Sequence, residues 1–272
     1  MTHMPQTILI TGSTDGIGLE TAKMLAPMGH HLLLHGRNRA KLEKAEQTLA
    51  ARPGNGRVES YAADLSRLDE VEALAKAVAE THPKLDVLIN NAGVYNAPVP
   101  ITDDGLDVRF AVNTIAPYLL TQRLLPLLDR SGRVVNLSSA AQSPVDPDAL
   151  AGKTRLSTGA AYAQSKLALT MWSREMAEYL ADGGPAIIAV NPGSMLGSKM
   201  VQQAFGVAGG DIRIGGDILC KAALDDSFAA ASGQYFDNDK GVFAPPHPDA
   251  LDSRKSQEVV RVIERILAEK KS

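Results

Sequence analysis

Cysteine is almost missing from this sequence: Cys220 stands alone among 272 residues, so no intrachain disulfide can form. Nothing in the cysteine usage calls for an oxidising compartment. Long hydrophobic runs are missing too, since no segment approaches the roughly 18 uninterrupted apolar residues of a membrane span. The residues before the apolar run Thr7–Ile10 lack the basic stretch and long apolar core of a signal peptide. A cytoplasmic protein without a membrane partner is therefore expected. Excess charge is equally scarce. A formal net charge of -3 does not supply the Lys and Arg surplus with which general nucleic-acid binders displace counterions, so no nucleic-acid partner is expected. No His/Cys cluster has ligand spacing, and no metal is expected. Internal repeats and low-complexity tracts are absent. What remains is 44% hydrophobic and 22% charged, the balance of a water-soluble globular chain long enough to bury a large core.

Short apolar runs alternate with helix-period segments along the whole chain, the pattern of a sheet wrapped by helices on both faces. The strand-like runs are Thr7–Ile10, His31–His35, Arg57–Ala62, Leu85–Asn90, Arg133–Leu137, Ala186–Asn191 and Gln234–Phe236. Helical periodicity marks Gly18–Met28, Arg39–Ala51, Leu68–Glu80, Leu106–Leu128 and Ala160–Leu180, with a last helix near Val259–Glu269 after a loop. The expected fold is α/β, a single doubly wound domain over residues 1–272 with a mostly parallel seven-stranded sheet. Two irregular stretches, near 140–161 and 194–216, follow strands and are placed to shape a substrate pocket.

The turn Thr11-Gly12-Ser13-Thr14-Asp15-Gly16-Ile17-Gly18 leaves the first strand and opens the first helix. Glycines there let the backbone approach a pyrophosphate, whose charge the helix amides and the positive end of the helix favour. The spacing TGxxxGIG resembles that of the short-chain dehydrogenases/reductases. The likeness continues through Asp64-Leu65, similar to the family's adenine-contacting pair; Asn90-Asn91-Ala92-Gly93, similar to its fourth-strand signature; and Pro192-Gly193, similar to its nicotinamide-side turn. The resemblance implies a Rossmann-type domain whose nucleotide is held by Gly12, Ser13, Thr14, Asp15, Gly16, Ile17, Gly18, Asp64, Leu65, Asn91, Ala92, Gly93, Pro192 and Gly193.

An acid near the end of the second strand would hold the adenosine ribose and repel a 2′-phosphate. The chain reads His35-Gly36-Arg37-Asn38-Arg39 there, with Arg37 similar in place to the phosphate-binding arginine of NADP-dependent members. A guanidinium grips phosphate with paired charge-assisted bonds, so NADP(H) is expected ahead of NAD(H).

Tyr162 and Lys166 lie four apart on a predicted helix and project from one face. A free phenol, with a pKa of about 10, is a poor base at pH 7. One positive charge about 4 Å away, at an effective dielectric of about 20, is worth roughly 4 kcal/mol before screening, or about three pKa units. Lys166 is therefore expected to lower Tyr162, which then gives or takes the proton on the substrate oxygen. The resemblance adds Ser139 as a hydrogen-bond partner of that oxygen, with Ser138 the alternative. It also adds Lys166 and Tyr162 as nucleotide contacts, and Asn113 as the anchor of a water behind the lysine.

Insertion before Tyr162, Thr102-Asp103-Asp104-Gly105-Leu106 and Ser232-Gly233-Gln234-Tyr235-Phe236 are similar to the retinol dehydrogenase and protochlorophyllide reductase-like branch. The expected activity is hydride transfer between the nicotinamide and a small-to-medium apolar ketone, aldehyde or secondary alcohol. A catalytically silent NADP(H) sensor or scaffold on the same fold is the alternative. The long helices Leu106–Leu128 and Ala160–Leu180 pack across a dimer interface in many similar enzymes, which suggests a homodimer or homotetramer. Where the family often has a threonine that binds the nicotinamide carboxamide the chain has Gly197, leaving Ser194 or Ser198 to substitute. Among the histidines, His30, His31 and His35 lie on or beside a strand, where structural or solvent-facing roles are the default, and His247 lies in a loop that can approach a pocket.

Overall fold

The computed structural model describes residues 4–51 and 54–270. Among the described residues eight strands form one sheet in the order β3-β2-β1-β4-β5-β6-β7-β8: β1 Thr7–Ile10, β2 His31–Gly36, β3 Val58–Ala62, β4 Val87–Asn90, β5 Arg133–Leu137, β6 Ala186–Asn191, β7 Tyr235–Asp237 and β8 Val242–Ala244. All neighbours are parallel except the β7–β8 hairpin. The eighth strand corrects the expected seven. Asp237-Asn238-Asp239-Lys240-Gly241 is a tight reversal rather than an open loop, with Gly241 at a φ of 69°, and the apolar Val242-Phe243 after it pairs back as an edge strand.

Parallel strands buried on both faces carry continuous apolar runs whose alternate residues serve opposite layers. In β1, Ile8 and Ile10 join the core beneath α1 (Gly16–Leu25), α2 (Arg39–Ala50) and α9 (Arg213–Leu224), whereas Leu9 joins the core beneath α3 (Leu68–Thr81), α5 (Ala116–Leu124) and α7 (Thr158–Leu180). The remaining α-helices among the described residues are α4 (Val108–Phe110), α6 (Pro147–Leu150), α8 (Lys199–Phe205) and α10 (Ser253–Glu269). The last begins six residues before the expected start because Asp252 caps it, accepting from Arg254 and Lys255 N–H. Its apolar stripe of Val259, Val262, Ile263, Ile266 and Leu267 is buried in the core shared with α7. The Tyr118 hydroxyl on α5 bonds Glu264 on α10 at 2.9 Å, so the chain's own last helix occupies part of the α5/α7 face that the resemblance associates with pairing between copies.

The expected helix Leu106–Leu128 is segmented: α4, a π-helical turn Ala111–Ile115, α5, and a 3-10 turn Leu125–Leu127. Hydrophobic periodicity does not register one widened turn, and such turns cluster at functional positions. Here the widened turn contains Asn113.

Four buried polar side chains tie the ends of the central strands to the helices on one face. Asn90, closing β4, donates from Nδ2 to Thr121 Oγ1 on α5 (3.0 Å) and to Asn136 Oδ1 on β5 (2.8 Å); Asn136 Nδ2 donates to Ser173 Oγ on α7 (2.8 Å). Asn136→Ala should orphan groups on both sides and cost about 1–3 kcal/mol per orphaned group. A urea midpoint within error of the native value, at unchanged m, would show that the chain of bonds carries no stability.

Candidate functional site

Because β2 follows β1 outward on one side and β4 lies on the other, the connections leaving β1 and β4 diverge and open a crevice at the carboxyl ends of the strands. The cleft there has a volume of about 530 Å³. One end is walled by Gly12, Thr14, Gly16 and Ile17 of the first turn, with Gly36, Arg37, Asp64 and Leu65; the other by Ser139, Tyr162, Lys166, Pro192 and Gly193. Asn91, Ala92 and Gly93 run between them.

Tight backbone packing explains the glycines. Gly12 has a φ of 67°, and a Cβ there would come within 2.9 Å of Ala92 Cα; one at Gly18 would meet the Asn91 amide at 2.4 Å. Gly18 therefore packs against Asn91 instead of lining the cleft. Ser13 is also turned away: fully buried, its hydroxyl donates to His35 C=O (3.3 Å) and accepts from His35 N–H (2.9 Å). Asp15 caps α1 by accepting from Gly16 N–H at 2.9 Å and pairs with Lys199 on α8, which fastens α8 across the cleft mouth. Arg37 is exposed on the wall and makes no ion pair among the described residues.

His35 is a site residue that the strand pattern concealed. Its Nδ1 accepts from Gly12 N–H at 3.2 Å, while Nε2 donates to Ala63 C=O at 3.0 Å, so the neutral ring fixes the first glycine of the turn. Burial lowers its pKa to about 4.

At the other end Ser157 caps α7 and sets its phase, so that Tyr162 and Lys166 face the end of β5. The two serines after that strand separate clearly. Both line the cleft, but Ser138 is buried with its hydroxyl bonded to Thr170 Oγ1 at 2.7 Å, whereas the Ser139 hydroxyl accepts only from Ala141 N–H at 3.1 Å among the described residues. Tyr235 and Gln142 hold Ser139 by its carbonyl at 3.2 and 2.9 Å. Lys166 donates from Nζ to Leu137 C=O at 2.6 Å and sits 5.8 Å from the Tyr162 ring centre. Burial lowers the lysine to about 8 and raises the tyrosine, a rise only partly offset by Ser139. The expectation that the ammonium lowers the phenol is therefore corrected: desolvation outweighs a charge held toward a carbonyl.

Asn113 lies behind this wall. Its Oδ1 accepts from Val94 N–H (2.8 Å) and its Nδ2 donates to Val94 C=O (3.0 Å) and Ser165 Oγ (3.0 Å). The side chain thus fixes the turn after Gly93 rather than reaching into the cleft. Tyr95, unmarked by any motif, lines the cleft with its ring 5.0 Å from that of Tyr162. The buried Arg109, paired with Asp107 at 2.6 Å, supports it by donating to Tyr95 C=O at 3.2 Å.

Past β6, Ser194 is held by Asp239, which accepts from its N–H at 2.7 Å and its hydroxyl at 2.6 Å; Asn191 also donates to Asp239 at 2.9 Å. Ser198 caps α8. Both serine hydroxyls proposed as substitutes for a threonine are thus engaged elsewhere. Of the irregular stretches, Ala140 and Ala141 at the start of the first and residues from Ser194 to Val201 of the second line the cleft; Leu150 instead fills the core. His247 caps a 3-10 turn, its Nδ1 accepting from Asp249 N–H, and is not on the cleft wall.

Residues 6–206 match the short chain dehydrogenase family. The chain belongs to that family. Human retinol dehydrogenase 13 is 32% identical over 266 residues, covering 91% of this chain and 80% of that protein. An uncharacterized Mycobacterium paratuberculosis protein of known structure superposes with a TM-score of 0.79 at 29% identity, covering 96% of this chain and 92% of the other. A metagenomic short-chain oxidoreductase solved in complex with NADP gives a TM-score of 0.63 at 29% identity, over 84% and 96%. This short-chain dehydrogenase is accordingly a hydride-transferring oxidoreductase acting on CH–OH or C=O groups, of the retinol dehydrogenase branch.

The neutral His35 makes stability depend on pH. With its folded pKa near 4 and an unfolded value near 6.5, the unfolded chain binds the extra proton between those values, so its contribution is present above about 6.5 and lost as pH falls through 4. The native protein should lose about 2 kcal/mol between pH 7 and 5 through this group, and His35→Gln should flatten that slope. Equal slopes in urea melts of the two proteins would refute the assignment.

Proposed function

We propose that the cleft takes NADP(H) in preference to NAD(H) and reduces or oxidises a small-to-medium apolar ketone, aldehyde or secondary alcohol, with Tyr162 as acid and base. The observation that carries this reading is the convergence of Ser139, Tyr162 and Lys166 on one end of the cleft whose other end presents Arg37. The residues present suit a dinucleotide. Gly12 lets the turn pack close beneath a pyrophosphate, the amino terminus of α1 offers free amides, and Arg37 is an unpaired fork for a 2′-phosphate. Asp64, the nearest family-type acid, spends Oδ1 on Ser66 N–H and hydroxyl, at 2.9 and 2.8 Å. NADP(H) supplies or accepts the hydride when bound.

In reduction Tyr162 donates its phenolic proton to the carbonyl oxygen while Ser139 donates a hydrogen bond to the same atom. In oxidation the phenolate accepts the alcohol proton. Lys166, with Leu137 C=O fixing one of its three N–H groups, has others left for a nucleotide ribose. Asn113 and Asp239 position the two turns that flank the reacting centre. Val94, Tyr95, Leu196, Met200 and Val201 give the cleft an apolar lining beside Tyr162, which supports an apolar substrate, as the retinol in the name of its relative does. A silent sensor would have no need of Ser139, Tyr162 and Lys166 together on the cleft wall.

NADPH should bind more tightly than NADH, and Arg37→Asp should reverse the order; equal native affinities in fluorescence titrations would remove the argument. Tyr162→Phe should keep nucleotide binding and lower turnover by roughly 10²–10⁴-fold, while Lys166→Met damages both. Native turnover in a folded Tyr162→Phe protein, with chemistry rate-limiting, would overturn the mechanism.

A further inference from the structure

Away from the cleft, three side chains that hydride transfer does not use meet at the edge of the sheet. His31 opens β2, Glu59 is on edge strand β3, and His82 caps the end of α3. Glu59 is in register with Leu33, two residues after His31, so His31 and Glu59 project from the same face, the face covered by α3. Glu59 presents one oxygen to each imidazole: Oε1 lies 2.9 Å from His31 Nε2 and Oε2 3.3 Å from His82 Nε2. The three donor groups all lie within 4.8 Å of one another. The imidazole rings stand nearly edge to face, with centres 5.2 Å apart.

We propose that His31, Glu59 and His82 form a binding site for a divalent transition-metal ion of zinc's class. Two imidazoles and one carboxylate are a donor set that such ions take. A tetrahedral ion with bonds of about 2.0–2.1 Å separates its ligand atoms by roughly 3.3 Å, close to the two imidazole–carboxylate distances and within the 4.8 Å that bounds all three groups. All three ligands stand on or at the end of regular elements, which hold them in place without the ion. Their side chains are 19%, 19% and 8% exposed, so packing restrains them while solvent still reaches them.

Two neighbours complete the surroundings. Tyr61 hydroxyl lies 2.9 Å from His82 Nε2 and 3.4 Å from Glu59 Oε2, where it can turn to bond a ligand oxygen. Arg57 pairs with Glu59 Oε1 at 2.6 Å and is the cation that a metal must displace; at 71% exposure it can swing into water. This contact separates two accounts of the cluster. If the residues form only a hydrogen-bonded brace, deleting Arg57 removes a partner and does nothing for metals. If they form a metal site, deleting Arg57 removes a competitor.

The site lies at the start of β2, and Arg37 follows its end; at about 3.3 Å per residue the two are roughly 16 Å or more apart. Its expected effect is to pin the edge strand and the end of α3 to β2, leaving nucleotide affinity unchanged. The test uses the full chain after dialysis against a chelator, titrated with zinc by calorimetry and with cobalt(II) as a spectroscopic stand-in. One ion per chain with a Kd of about 10 µM or tighter, a zinc-dependent rise in Tm, and cobalt bands of nitrogen–oxygen ligation are expected. His31→Gln and His82→Gln should each weaken zinc at least about tenfold, and Arg57→Ala should tighten it. Saturable binding absent up to about 100 µM zinc, affinity undiminished in both histidine variants, or a native cobalt spectrum without nitrogen ligation would each overturn the proposal. The spectrum needs no variant, so a misfolded substitution leaves the test intact.

Discussion

The hydrogen-bonded chain Thr121–Asn90–Asn136–Ser173 is the constraint on which the site depends, because it joins β4 and β5 to α5 and α7 immediately beneath the cleft. Its neighbours in sequence are the site itself: Asn91 follows Asn90, Ser138 and Ser139 come shortly after Asn136, and Ser173 lies on the helix that carries Tyr162 and Lys166. In a low-dielectric interior each of these bonds is costly to break without a replacement, so the amides set the relative height of the two strand ends and the helix. Thr114, bonded to Ser165 C=O at 2.8 Å, and Asn113 extend the same bracing into the π-helical turn.

Much of this was legible in the sequence, for identifiable reasons. Strands such as Thr7–Ile10 and Ala186–Asn191 appear with their expected bounds, because buried parallel strands are uninterrupted apolar runs between turn residues. Spacing put the glycine turn at a strand end and Tyr162 and Lys166 on one helix face, the family resemblance added Arg37 and Ser139, and Gly12, Gly16, Arg37, Ser139, Tyr162 and Lys166 all line the cleft. What escaped depends on contacts between distant segments. Nothing local announces that His35 holds Gly12, that Asn113 holds Val94, that Tyr95 lies beside Tyr162, or that Asp239 holds Ser194, 45 residues away. Helix α9 was hidden by Gly215 and Gly216, which lower helix propensity but let α9 pack closely on α1: a Cβ at Gly216 would sit 3.2 Å from Glu20.

The electrostatics of the catalytic end follow from that packing. Burial works against both ionised groups, raising Tyr162 and lowering Lys166, so the Tyr-x-x-x-Lys pair by its spacing alone does not make an activated base. The fold places a buried phenol and an ammonium near the point of ionisation at one end of the cleft; in the mechanism we propose, further positive charge there favours the phenolate. An oxidised nicotinamide is the natural source in an enzyme of this family, which would link proton transfer to occupancy by the correct redox form.

Ultraviolet difference titration of tyrosine ionisation, with Tyr162→Phe subtracted as the blank, tests that central claim most directly. The account predicts that the Tyr162 signal titrates above the ordinary tyrosine range in the protein alone, because burial raises it, and that its midpoint falls by about one to three pH units when NADP⁺ is bound. A midpoint already near neutrality without nucleotide, or one that NADP⁺ leaves in place, would contradict it.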